Sequence, residues 1–491
     1  MRGLRMVSGV LSELEPRIVW SIFEEITKIP RCSGKEQKLQ EWIRKWAEEN
    51  GIAFKQDEVG NILLTKEAAP GCEDYPTLVL QAHQDMVCEK TLESPHNFET
   101  DPIPVKIEGD RVTADGTTLG ADDGIGIAIA LATLIDPTLK RHGKLEVLLT
   151  VSEETGLVGA IKMKKGFFTG KRMINLDSEE LGVIIVGSAG GGGTRYTIPV
   201  EFEEVEGWKG MKLEISGLLG GHSGVDIHLP RLNANKLLGE GLKAVKEEVP
   251  LRIMHIEGGT RGNAIARSAY CDFLIPEEKA GKAMEILEKW RAEVEEKHRS
   301  VERGMKIEFS EIPAGKAISE EKTASIIGII TEVHQGPVSW SKEIEGLVET
   351  SNNLGIVRTE EDKVVISASS RSSDMKELAE FRAKLKAIGE KYGAKVDQSP
   401  AYPGWKADVK SPFLKLVARN YEKVMGKKPK ITAIHAGLEC GFLSRFDPEL
   451  KIVSIGPTIK YPHSPQEFVY IDSVGVLWKV VRAVVEEIGS E

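Results

Sequence analysis

Residues 77–85 read TLVLQAHQD, and this stretch decides the fold. Thr77–Ala82 carries no charge, is too short for a helix and is rich in Leu and Val, as fully buried strands are. It ends on His83-Gln84-Asp85, polar groups delivered where a strand gives way to a loop. Short runs likewise rich in Val, Ile or Leu recur at Leu145–Val151, Met173–Leu176 and Ile452–Ile455. Between the first two strands lies Gly124–Ile135, an Ala/Ile/Leu run long enough for a buried helix. Strand–helix–strand repetition predicts an α/β fold, a mixed and mostly parallel sheet flanked by helices.

Working outward, Ser33-Gly34-Lys35-Glu36 reads as a capping box ahead of a helix striped by Leu39, Trp42, Ile43, Trp46 and Ala47, with Asn50-Gly51 as its stop. Gly190-Gly191-Gly192-Gly193 reads as a hinge or close-approach turn. It lacks the frame of a phosphate-cradling loop and a helix start behind it. Strand-like segments then appear at Lys212–Ile215, Ala269–Phe273, Lys306–Phe309 and Val364–Ser367, with amphipathic helices at Asn233–Glu247 and Glu277–His298. From about Tyr402 the α/β style returns, ending in a striped helix over Ser473–Ile488. The expected organisation is a catalytic α/β domain split in sequence (1–189 and 401–491), with an α+β lid or dimerisation domain inserted at 190–400.

Composition fits this scheme. A chain of 491 residues exceeds the ~250–300 that one core sustains. Hydrophobic residues at 41% and charged ones at 29% are those of a globular protein. A net charge of −10 argues against nucleic acid as a partner. No stretch has signal-peptide character, Arg2 and Arg5 included, and the apolar run Ile125–Ile135 is far short of a membrane span. The expected location is the cytoplasm, with no membrane partner. Cys32, Cys72, Cys88, Cys271 and Cys440 form no CxxC pair, so reduced and mostly buried thiols are expected.

Acids and histidines cluster at the ends of the expected strands. His83 and Asp85 follow the first, Glu153-Glu154 the second, Asp177 the third, and His463 comes shortly after the last. Asp122-Asp123 immediately precedes the Ala-rich helix. In open α/β sheets ligands bind outside the carboxyl ends of strands. So many carboxylates on one edge call for cations. Two imidazoles with carboxylates and no thiolate suit zinc, with cobalt or manganese possible. Five ligands exceed what one catalytic zinc uses, whereas two ions sharing a carboxylate use them all. Asp85 is placed to fix the tautomer of His83. One of Glu153 and Glu154 can ligate while the other acts as general base.

The motifs LQAHQDMVCEK, LGADDGIGIAIALA, SEETGLVGA, NLDSEE, LLGGHSGVDIHLPRLNANKLL, HAGLECG and PHSPQE together resemble the di-zinc metallopeptidases that include carnosinases, aminoacylases and di- and tripeptidases. Within that family the likeness is strongest to dipeptidases acting on Xaa-His and other dipeptides, and runs from about Leu14 to Val485. The resemblance implies that His83 and Asp177 bind one metal, Glu154 and His463 the other, and Asp122 bridges them. It makes Glu153 the base, Asp85 the partner of His83 and His222 a donor to the oxyanion. It also implies substrate contacts from Asn263, Arg371, His435 and Gly437, the last three at the terminal carboxylate. Glu467 is a weaker candidate for the substrate's free amine. Family members usually have a cis peptide after the bridging acid, here Asp122–Asp123. The expected activity is hydrolysis of dipeptides by water activated at two zinc ions, in a homodimer; N-acyl-amino-acid deacylation on the same core is the alternative.

Overall fold

The structure, a computed structural model, describes residues 9–11 and 13–491; Arg2 and Arg5 lie outside them. The chain forms two compact units. One comprises the residues up to Gly187 with Ala407–Ala433 and Leu438–Glu491, the other Ser188–Lys406 with Ile434–Gly437.

The first unit is built on an eight-stranded sheet. Its order is Ala53–Gln56, Ile62–Lys66, Leu145–Thr150, Leu78–His83, Arg172–Asn175, Lys451–Ser454, Val183–Ser188 and Lys430–Ile434. The four central strands run parallel, and those next to them pair antiparallel. Leu78–His83 and Leu145–Thr150 are buried at every position, as strands covered on both faces must be. The helix Ala121–Ile135 is buried from Ala121 to Leu134, which suits its lack of a polar face. The mixed α/β fold is therefore the one expected, and each central strand starts within one residue of its predicted position. Among the described residues no helix is long and apolar enough to cross a membrane.

The second unit carries a nine-stranded sheet, all of whose pairings are antiparallel. Its helices include Ala234–Glu248, capped by the Asn233 side chain, and Ala280–His298. Leu237, Leu238 and Leu242 of the former pack with Met211, Leu213 and Phe273 of the sheet in one core.

Three local expectations need correction. Gly190–Gly193 is neither hinge nor turn: it opens the strand Gly190–Pro199, with Gly190 opposite Ser372 and Gly193 opposite Ser369. Close approach is the reason for glycine, since a Cβ on Gly190 would lie 2.4 Å from the Gly404 nitrogen. The capping box does not form either. The helix begins at Gln37 without a side-chain cap: Ser33 donates to Asp85 instead, and Glu36 accepts the Gly34 N–H but also the Ser152 N–H and hydroxyl. Finally, Cys32 and Cys88 are joined by a disulfide, while Cys72, Cys271 and Cys440 are free and buried. The segment holding Cys32 runs beside Met86, whose N–H donates to the Arg31 carbonyl, and that pairing, invisible in the spacing, brings the sulfurs together.

Candidate active site and metal centre

The parallel strands all present their carboxyl ends to one edge of the sheet, and the chain spends its ionisable residues there. His83 closes the strand Leu78–His83 with 1% exposure. Its Nδ1 faces two acceptors of Asp85, the backbone oxygen at 3.1 Å and Oδ1 at 3.3 Å. The proton therefore belongs on Nδ1, which leaves Nε2 as a lone pair. That Nε2 faces Asp122 Oδ1 at 3.0 Å and Asp177 Oδ1 at 3.4 Å. On the other side, His463 Nε2 lies 3.1 Å from Asp122 Oδ2 and 3.0 Å from Glu154 Oε1. Asp122 thus offers one oxygen towards each imidazole. The peptide Asp122–Asp123 is cis.

Three overlapping sets of side chains here could hold a metal ion: His83, Asp122 and Asp177; Asp122, Glu154 and His463; and His83, Glu153 and Glu154. The donor chemistry fits divalent cations, since lone-pair nitrogens aimed at carboxylate oxygens leave a gap in positive charge. The site favours positive charge on both imidazoles. Its carboxylates draw the His83 pKa up against burial, and hydrogen bonds to Asp122 and Glu154 push His463 up to about 11. Burial lifts Asp177 to about 6 and, with help from the Asp177 carboxylate, raises Glu153 well above the ordinary glutamate range.

Asp85 is wholly buried and works in several directions. Besides His83, its carboxylate accepts the N–H of Glu153 at 2.9 Å, that of Glu154 at 3.2 Å and the Ser33 hydroxyl at 2.7 Å. Burial alone would raise its pKa, but these partners hold it at about 2. Ser152, just ahead of the two glutamates, has φ +49° and is held there by Glu36.

Two acids of this unit differ from expectation. Glu467 is 2% exposed, and both its oxygens accept backbone N–H groups of residues 119–122, so neither is left for a substrate amine. Glu439 escaped the sequence reading. It accepts from Gln81 at 2.8 Å and Thr150 at 2.6 Å, and Gln81 in turn accepts from Asn175. A polar chain therefore joins three neighbouring strands just before the residues at their ends; the HAGLECG motif held the only signal for it.

The second unit positions the remaining candidates. His222 Nδ1 accepts the N–H groups of Gly224 and Val225, so its Nε2 carries the proton and is a donor. Burial first, then Arg371, keeps it neutral by lowering its pKa. The Asn263 carbonyl accepts from the Ser223 N–H beside it. Arg371 donates to the Tyr402 hydroxyl at 3.0 Å, and its buried Nε has no partner among the described residues. His435 meets the Ser351 hydroxyl at 2.7 Å, and burial lowers its pKa to about 4. A Cβ on Gly437 would come within 3.2 Å of the Tyr402 ring. His96, His142, His228, His255, His298 and His334 join none of the metal-competent sets among the described residues.

The chain is 40% identical over 480 residues to the cytosol non-specific dipeptidase of Escherichia coli (strain K12), covering 97% of this chain and 99% of that one. The crystal structure of aminoacylhistidine dipeptidase from Vibrio alginolyticus superposes with a TM-score of 0.93 at 38% identity, over 98% of each chain. Aminopeptidase PepT from Bacillus cereus shares the fold at 16% identity, with a TM-score of 0.57 over 97% of this chain and 99% of that one. Residues 79–487 match the peptidase family M20/M25/M40. With that match and these relatives spanning nearly its whole length, the chain belongs to the peptidase family M20/M25/M40, and it is a peptide hydrolase.

Proposed function

We propose that the protein is a metal-dependent dipeptidase with a two-metal centre. Asp122 carries this reading, because its two oxygens face two imidazole nitrogens at 3.0 and 3.1 Å. We assign His83 and Asp177 to one ion, Glu154 and His463 to the other, and Asp122 to both, with zinc favoured by the donor set and cobalt or manganese acceptable. Bound there, the ions would polarise the scissile carbonyl and lower the pKa of a water towards ~7.

The chain's own groups do the rest. Glu153 takes the proton of the attacking water and returns it to the leaving amine, a role for which its raised affinity for protons suits it. Asp85 holds His83 in the tautomer that frees Nε2 and also fixes the backbone of Glu153 and Glu154. His222, neutral and protonated on Nε2, donates to the oxyanion. Asn263 contacts the peptide, while Arg371, His435 and the Gly437 backbone take the terminal carboxylate. The second unit acts as lid and dimerisation domain in a cytoplasmic homodimer. The 40% and 38% identity to two dipeptidases over nearly the whole chain supports this reading.

Assaying a panel of dipeptides, Xaa-His among them, after chelation and after adding back zinc, cobalt or manganese tests it. Metal-restored cleavage of free-amine dipeptides in preference to their N-acetyl analogues is expected. The opposite preference would make the protein a deacylase, and turnover unaffected by chelation would refute the metal centre.

A further inference from the structure

The carboxylate of Glu467 accepts four successive backbone N–H groups. One oxygen takes Leu119 at 2.8 Å and Gly120 at 3.0 Å; the other takes Ala121 at 2.8 Å and Asp122 at 3.3 Å. This saturates the acceptor capacity of an ionised carboxylate. The donors are four consecutive amides of the turn that leads into the helix Ala121–Ile135, whose backbone is still non-helical at Asp122 and Asp123. Arg31 closes on the same turn from another side. Only 2% exposed, its guanidinium donates to the carbonyls of Gly120, Gln84 (3.0 Å) and Asp85 (2.6 Å).

Gly120 therefore gives its N–H to Glu467 and its carbonyl to Arg31. Its φ is +71°, and a Cβ there would lie 2.7 Å from Arg31 Nη2 and 2.8 Å from Met86 Sδ. The backbone leading into Asp122 is thus fixed before its side chain meets anything. That matters because a site of this kind tolerates only about 0.5 Å of error in its ligands. Asp122 must satisfy two partners at once, so a shift of the turn that helps one oxygen misplaces the other.

We propose that Glu467 is a positioning residue for the metal centre: its carboxylate, with the Arg31 guanidinium as counterpart, holds the turn 119–122 so that Asp122 can present one oxygen to each ion. The proposal rests on the two-metal reading above. It assigns Glu467 to the backbone of the centre and not to the substrate.

The test is metal affinity, read by chelator competition and elemental analysis on the full chain, alongside thermal melting. Glu146→Gln is the matched control. Glu146 is equally buried, accepts the Thr169 and Gly170 N–H groups and the Thr169 hydroxyl, and pairs with Val79, four residues and about 13 Å down the strand from His83. Both substitutions should lower the melting temperature. Only Glu467→Gln should weaken zinc binding, by 10–100-fold, as loss of a group that orients ligands does. Wild-type affinity in Glu467→Gln, or an equal loss in both variants, overturns the proposal. Should Glu467→Gln fail to fold, Arg31→Lys keeps the charge without the three-carbonyl fork, and at least a tenfold loss is again expected; unchanged affinity overturns the idea. If the wild-type protein itself does not take up two ions, the two-metal reading fails first and the proposal falls with it.

Discussion

Nε2 of His463 lies 3.1 Å from Oδ2 of Asp122, although 341 residues separate them. His463 adopts φ +60° to reach it, a conformation few non-glycine residues take. The contact closes the centre with a residue that follows the strand Lys451–Ser454, which entered the sheet beside Arg172–Asn175. Its position, at the junction of early and late segments, makes it a sensitive place to probe the chemistry.

Glu153 is the first residue to test. Its N–H is anchored by Asp85 and its side chain sits with His83 and Glu154. Glu153→Ala should lose 10²–10⁴-fold in kcat while elemental analysis still finds two metals. Wild-type turnover in the variant would remove Glu153 as the base.

Asp85→Asn should behave differently. The amide cannot accept from Nδ1 of His83 and from both glutamate N–H groups together, so Nδ1 keeps only the Asp85 backbone carbonyl and the backbone of Glu153 and Glu154 is less firmly held. Metal affinity is expected to fall 10–100-fold along with activity. A chelator titration in which the variant matches the wild type would refute the role.

Arg371 offers a test of substrate ends. If its fork takes the terminal carboxylate, Arg371→Ala should raise KM strongly for dipeptides and much less for dipeptide amides. Equal effects on both substrates would rule that assignment out.

Glu439 predicts how the metal-free protein responds to pH. Burial lifts its carboxyl to about 7, although the Thr150 hydroxyl pulls the other way. An acid whose folded pKa exceeds its unfolded value of ~4.3 stabilises the fold below that value and loses the effect as pH rises through about 7. Chelator-treated protein should therefore lose stability from this source between about pH 4.5 and 7, and Glu439→Gln should flatten that part of the profile. Melting curves at pH 5 and pH 7.5 compare the two; an unchanged slope in the variant would exclude Glu439 as the origin.

Much of this molecule was legible from one dimension. Short runs rich in Leu and Val such as 77–82 and 145–151 read as strands covered on both faces, so the parallel centre of the sheet and the location of His83, Glu153, Glu154 and Asp177 at its edge follow from local pattern. The helix Ala121–Ile135 follows from its apolar run, and the stop of the helix Gln37–Asn50 from Gly51, which adopts φ +67°. What local pattern could not reveal is which polar group meets which. Ser33 and Glu36 have the spacing of a helix cap, yet the turns carrying Asp85 and Ser152 come close enough to claim both side chains. Gly190–Gly193 lacks side chains and so reads as a break, but it is a strand whose crowding by Tyr402, Gly404 and Arg382 appears only on folding. Cys32 met Cys88, and Glu467 met four amides of a distant turn, by the same cause. A hydrogen bond or a disulfide depends on separations of a few ångströms between segments far apart in the chain, and those separations exist only once the sheet has brought its strands together.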